Sequence, residues 1–215
     1  MKKLSLIGLL LIIPMIMLAQ HEADMVQIKL GVGTSMFTTH TTTTVSVGPL
    51  SSIYVDTMKT STQIIPVSLM MGVRDRWSVG AYSRFGNFII DTLTNQPRNN
   101  RTISFGLQTD IYIVNTPVFN MYINGGAHFT MLTVFETYAL VSKEYKYVGW
   151  GPIGNLGFNV FFIPVVGLNF NIGYEGQQLK LNERFINDNP QSMDIYEQKI
   201  KSNGLHISAG LNFMF

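Results

Sequence analysis

From Leu205 to Phe215 every second residue is apolar: Leu205, Ile207, Ala209, Leu211, Phe213 and Phe215. His206, Ser208, Gly210 and Asn212 lie between them. A period of two places these sets on opposite faces of a β-strand. The alternation recurs upstream. Val166, Leu168, Phe170, Ile172 and Tyr174 oppose Gly167, Asn169, Asn171, Gly173 and Glu175. Ile103, Phe105, Leu107, Ile111 and Ile113 oppose Ser104, Gly106, Gln108, Asp110 and Tyr112. Met121, Ile123, Ala127, Phe129 and Met131 oppose Asn124, Gly126, His128 and Thr130, and Val26 to Val32 alternates with Gln27, Lys29, Gly31 and Gly33. Eight such segments are expected, at 25–38, 60–73, 77–90, 101–114, 119–134, 147–162, 165–179 and 199–215. Each exceeds the usual soluble strand of about 5–6 residues and suffices for a tilted membrane crossing of roughly 9–11.

The connectors alternate in length. Arg74-Asp75-Arg76, Asn115-Thr116-Pro117-Val118 and the link at Ile163-Pro164 are tight, whereas 39–59, 91–100, 135–146 and 180–198 are long. Short turns at one end and long loops at the other are expected of an up-and-down barrel in an outer membrane. That topology puts both termini on the short-turn, periplasmic side. Were the apolar faces turned inward, the outside would be Gly, Asn, Ser and Thr with few charges. Only 13% of residues are charged, against about 25% in soluble domains. The pattern therefore predicts apolar residues facing lipid and small or polar ones packing a narrow bore. The expected fold is all-β: one eight-stranded antiparallel up-and-down transmembrane β-barrel over 20–215.

Residues 1–19 read as a cleaved signal peptide. Lys2 and Lys3 precede an apolar run from Leu4 to Leu18, and Ala19 offers a small residue before a cut that leaves Gln20. No later segment is a helical span; Phe158–Phe170 is broken by Asn159, Pro164, Gly167 and Asn169. Trp77, Phe119, Phe162 and Phe215 fall near turn ends, and Tyr147, Trp150 and Tyr174 toward loop ends, as two interfacial girdles would. The absence of cysteine excludes disulfides and thiol chemistry. There is no basic cluster to suggest nucleic-acid binding.

These features resemble the small outer-membrane barrel families, the OmpA barrel domain and the OmpX-like proteins. The resemblance covers the mature chain and includes the closing Gly210-Leu211-Asn212-Phe213-Met214-Phe215. It implies that Phe213 and Phe215 act as the terminal signal read by the barrel-assembly machinery. Unlike full-length OmpA, no peptidoglycan-binding domain follows Phe215, so wall anchoring is not expected.

The inward-facing ionisable residues are Lys29, Arg84, Asp110 and Glu175, with His128 and His206. Two cations and two carboxylates in a narrow bore should pair, because an isolated buried charge is costly. Arg84 is expected to pair with Asp110 or Glu175. His206-Ile207-Ser208 resembles the His-x-Ser of barrel-type lipid A deacylases, but no acidic residue follows Ser208. A palmitoyltransferase-type site would need a loop set that His40 and Asp56 do not make. No metal or cofactor is expected. Asp56-Thr57-Met58 and Asp91-Thr92-Leu93 resemble short bacterial O-glycosylation signals, so Thr57 and Thr92 are candidate acceptors. The leading expectation is a non-enzymatic barrel without an open pore, working through its extracellular loops. Alternatives are an accessory subunit of a larger outer-membrane complex and a lipid A-modifying enzyme. Expected partners are outer-membrane lipid, the assembly machinery and other outer-membrane proteins.

Overall fold

The computed structural model describes residues 23–90, 100–138 and 141–215. The strands are β1 (Val26–Val47), β2 (Leu50–Arg74), β3 (Trp77–Ile90), β4 (Arg101–Asn115), β5 (Phe119–Tyr138), β6 (Val141–Ile163), β7 (Val166–Ile186), the two-residue bridge β8 (Asn189–Pro190) and β9 (Tyr196–Met214). Pairing is antiparallel between successive long strands. The β1–β9 ladder, from Gln27↔Met214 to Val45↔Tyr196, closes an eight-stranded ring. Val26 and Phe215 exchange backbone hydrogen bonds at the short-turn end, which leaves no open edge there.

The outward face is apolar across a belt. It runs from Ile28 to Met36 on β1, Ile103 to Ile113 on β4, Trp150 to Phe162 on β6, Tyr174 to Val166 on β7 and Leu205 to Phe215 on β9. These stretches come to about 9–13 residues, the length a tilted strand needs to cross the hydrocarbon. Val32 and Leu107 are 66% and 73% exposed, while Gln27, Asp110 and Asn212 on the inner face are fully buried. Only a lipid solvent makes that arrangement favourable. Inward glycines make room for large neighbours. A Cβ on Gly157 would overlap the Tyr122 ring, which is 1% exposed.

The strands extend well past the expected segments. The threonine-rich 39–59 is a hairpin, paired from Thr38↔Lys59 to Val47↔Leu50 and turning at Gly48 (φ 58°). Its β-branched residues favour extended backbone over loop. Residues 135–146 likewise continue β5 and β6, pairing Phe135↔Glu144 and Tyr138↔Val141. Within 180–198, β7 reaches Ile186 and β9 begins at Tyr196. Asn187 and Asp188, at φ 49° and 62°, make the tight turn from β7 into β8; Asn and Asp tolerate that left-handed region. The expected signal peptide 1–19 and Thr92 lie outside the described residues, as does 91–100 except Asn100.

Above the apolar belt the alternation inverts. Phe88, Leu132, Val134, Tyr145, Tyr147, Leu179, Leu181 and Ile200 turn inward and form one buried cluster. The outward positions there are polar: Gln63, Asn87, Arg101, Thr133 and Lys146 lie on one continuous register row. Tyr147, expected in the loop-side girdle, is only 4% exposed and belongs to this interior cluster. The inversion has a simple cause. Beyond the hydrocarbon the outside is water, so the favourable face to bury is the inner one.

Candidate functional site in the lumen

Between the apolar cluster and the short-turn end the bore is filled by polar side chains from every wall. Lys29 on β1 reaches across to Asp110 on β4, Nζ to Oδ2 at 2.5 Å. Asn124 donates its Nδ2 to the other carboxylate oxygen at 2.5 Å. The Lys29 ammonium also sits 4.0 Å from the centre of the Tyr122 ring, a cation–π contact. Tyr122 donates its hydroxyl to Asn171 Oδ1 at 2.9 Å and accepts from Asn169 Nδ2 at 2.7 Å. Asn169 continues the chain to Asn159.

A second charged layer lies nearer the loop end. Arg84 on β3 donates to Glu175 Oε2 on β7, and Gln177 donates to Glu175 Oε1 at 3.2 Å. Arg84 and Glu175 are 4% and 2% exposed. Arg84 Nη2 lies 3.3 Å from both ring nitrogens of His128, whose Nδ1 also meets the Tyr82 hydroxyl at 2.9 Å. His206 Nδ1 is 3.1 Å from Ser35 Oγ and 3.9 Å from Glu175 Oε2. The void bordered by Lys29, Tyr82, Arg84, Tyr122 and His206 measures about 60 Å³, enough to hold a few ordered waters among polar partners.

The bore thus brings Lys29, Arg84, Asp110, Glu175, His128 and His206 together in two stacked ion pairs. Sequence patterning placed these side chains inward but could not pair Lys29 with Asp110. That contact joins strands three positions apart around the ring. His206 and Ser208 are not joined: the hydroxyl at His206 is Ser35's, and Ser208 contacts Asn171 Nδ2 at 3.5 Å. Both the hydroxyl and the carboxylate approach the same His206 nitrogen. A relay needs one at each nitrogen. Among the described residues no group of His, Asp and Glu is arranged to hold a metal ion.

Trp77, Trp150 and Tyr174 are exposed on the outer wall, with Trp77 Nε1 donating to Thr109 Oγ1. Phe215 is exposed and Phe213 half-buried at the short-turn rim. Thr57 is exposed on the raised hairpin rather than on a loop, and its hydroxyl lies 2.8 Å from His40 Nδ1. The interior cluster at the mouth was missed by sequence reasoning. Its signal was the phase of alternation: Tyr145 and Tyr147 are in step with inward Gly149 and Gly151, not with outward Trp150. Burial pushes the Tyr145 hydroxyl, which lies above the apolar belt, up to about 12.

The architecture defines a class, the transmembrane β-barrels of outer membranes. Among solved structures the chain is similar to the outer membrane protein OprG from Pseudomonas aeruginosa, with a TM-score of 0.63 and 14% identity over 92% of this chain and 99% of that one. It is more distantly similar to the outer membrane protease OmpT from Escherichia coli, with a TM-score of 0.45 and 11% identity over 89% of this chain and 97% of that one. Ail, the attachment invasion locus protein of Yersinia pestis, gives a TM-score of 0.35 and 10% identity over 84% and 98%. At these identities the likeness to OprG speaks for the fold, and the other two carry no argument. No family model matches the chain, and no curated protein sequence does.

Proposed function

We propose that this protein is a non-enzymatic integral outer-membrane barrel, closed to solutes, that acts through the β-structure it raises above the membrane. The start of β1 and Phe215 lie at the short-turn end, which this reading assigns to the periplasm. The observation that carries the proposal is the filled bore. Two crossed ion pairs and an apolar cluster occupy the lumen, leaving only about 60 Å³ beside the charged layers. Eight strands leave no room for more. Interaction falls to the raised hairpin, where Ile53, Tyr54 and Val55 are each more than 60% exposed. From Leu50 to Lys59, β2 pairs only with β1 among the described residues. An exposed strand edge with apolar side chains suits docking of another protein's extended segment. This also supports the second reading, an accessory subunit of a larger outer-membrane assembly.

Two measurements test the proposal. Purified barrel in a planar lipid bilayer should give no steady ion conductance; a stable open channel would overturn the closed-bore reading. Mild-detergent extraction from native membranes should recover a partner protein with the intact chain and lose it when residues 45–57 are replaced by a short turn. Equal recovery of the same proteins from both would refute action through the hairpin.

A further inference from the structure

A groove of about 1190 Å³ crosses the strands of the outer wall, between two neighbouring register rows of outward residues. The lower row runs from Phe158 on β6 through Ala209 on β9 and Val32 on β1 to Phe85 on β3 and Ile103 on β4, and it is apolar throughout. β1 and β2 pair at Gly33↔Ile64, which sets Val32 beside Ile65 and carries the row from one strand to the next. The upper row changes character along its length. It begins with Ile172 and Ile207, passes Thr34, and ends on Gln63, Asn87 and Arg101.

The groove climbs as it turns around the barrel. Phe158 lies near the short-turn end of β6, whereas Arg101 opens β4 on the loop side. Six strand-to-strand steps of about 4.8 Å separate β6 from β4, so the groove is roughly 29 Å long. With strands tilted by about 40°, a row perpendicular to them rises roughly 18 Å along the barrel axis over that length. One leaflet takes about half of the roughly 30 Å of hydrocarbon. The groove therefore descends from the upper rim of the belt about as far as one acyl chain does. Its width is the spacing of two outward residues on one strand, about 6.6 Å, which admits a single chain. At the upper end Arg101 is exposed, and no carboxylate pairs with it among the described residues. Gln63 and Asn87, exposed beside it, make no side-chain hydrogen bond there either. One cation flanked by two neutral amides offers a place for one negative charge.

We propose that this groove binds a long-chain fatty acid from the surrounding leaflet, with its carboxylate on Arg101 and its alkyl chain along Phe85, Val32 and Ala209. The guanidinium can hold a carboxylate through two parallel N–H donors, and the Gln63 and Asn87 amides can donate to the remaining lone pairs. The width of one chain selects a monoacyl ligand. A diacyl phospholipid holds two chains side by side, and the oblique course of the groove would leave the second across the ridge of Phe85 and Ile103. The position in the lipid-facing wall means that the ligand arrives laterally, through the membrane. The assignment rests on the outer-membrane placement, not on the closed bore or the hairpin.

The test uses the full barrel in phosphatidylcholine nanodiscs with a palmitic acid analogue that carries a diazirine on its chain, and labelled positions are mapped by peptide mass spectrometry. Labels should concentrate at Phe85, Ile65, Val32 and Ala209 and be sparse at Ile123 and Phe129 on β5. Arg101→Gln should raise the concentration for half-maximal labelling at least about tenfold, the worth of a charge-assisted hydrogen bond. The methyl ester of the probe should label the wild type as weakly. Ala209→Trp, which obstructs the groove without altering charge, should reduce labelling along the row, and Ala127→Trp on β5 should leave it unchanged. Unmodified palmitic acid should compete with the probe, and the same concentration of phosphatidylglycerol should not. Labelling spread evenly around the wild-type wall would overturn the site. So would labelling indifferent to the ester and to Arg101→Gln in a barrel that still shows heat-modifiable gel migration. Competition by phosphatidylglycerol as strong as by the free acid would give the groove to bulk phospholipid and overturn the fatty-acid assignment. A wild-type chain that fails to enter the discs would overturn the membrane placement and this assignment with it.

Discussion

Replacing Arg84 by methionine removes the cation that Glu175 faces while keeping most of the side-chain volume. Glu175 is 2% exposed and would retain Gln177 as a donor, with His206 Nδ1 farther off at 3.9 Å. Breaking a buried ion pair by removing one partner typically costs about 3–5 kcal/mol, because the remaining charge is left uncompensated. That is roughly 10²–10⁴-fold in the folding equilibrium, a large part of a typical total stability of about 5–15 kcal/mol. The assay is reversible urea unfolding in detergent micelles, followed by tryptophan fluorescence and by heat-modifiable gel migration. Arg84→Met with Glu175→Leu removes both charges and should recover most of the loss, since apolar replacements of buried pairs are often neutral. A single variant that loses less than about 1 kcal/mol, or a double variant no more stable than the single, would refute the account of the lumen as an obligate paired network.

Gly157→Ala drives a methyl group into the Tyr122 ring and should cost about 1–3 kcal/mol in the same assay; a neutral result would mean that the ring does not occupy that space. Tyr145 should titrate near pH 12 by ultraviolet difference spectroscopy. Because its folded value lies above the ordinary 10, its contribution to stability is complete below pH 10 and is lost as the pH rises through 12. A transition at 10 in the folded protein would place the hydroxyl in water. At Thr57, intact-mass and peptide analysis of protein from its native membrane should show a glycan mass increment that Thr57→Ala removes; an unmodified peptide would exclude the site.

The barrel was legible because lipid enforces alternation over long stretches. Ile103 to Ile113 and Leu205 to Phe215 each carry an apolar face that only a strand can present. The tight turns at Asp75-Arg76 and around Pro164 were equally clear, since two or three residues cannot do anything else. The raised hairpins were less clear. Threonines such as Thr41, Thr42 and Thr43 are polar enough to read as loop but β-branched enough to extend once paired. The inversion above the belt was hidden because Tyr147 reads as an interfacial aromatic beside Trp150, although it shares its phase with the inward Gly149. Which cation meets which carboxylate was not written in any local pattern. Lys29 and Asp110 are 81 positions apart and meet only when the ring has closed.

The central claim is that one wall of each strand faces lipid and the other a packed, water-poor bore. The chain contains no cysteine, so single cysteines can be placed and spin-labelled along β4 from Arg101 to Asn115 in reconstituted bilayers. The account predicts collision rates with oxygen that alternate with a period of two. They should be high at 103, 105, 107, 111 and 113, low at 104, 106, 110 and 112, and accompanied by weak access for a water-soluble relaxation agent at the inward set. Uniform rates along the strand, or strong aqueous access at 104 and 110, would contradict it.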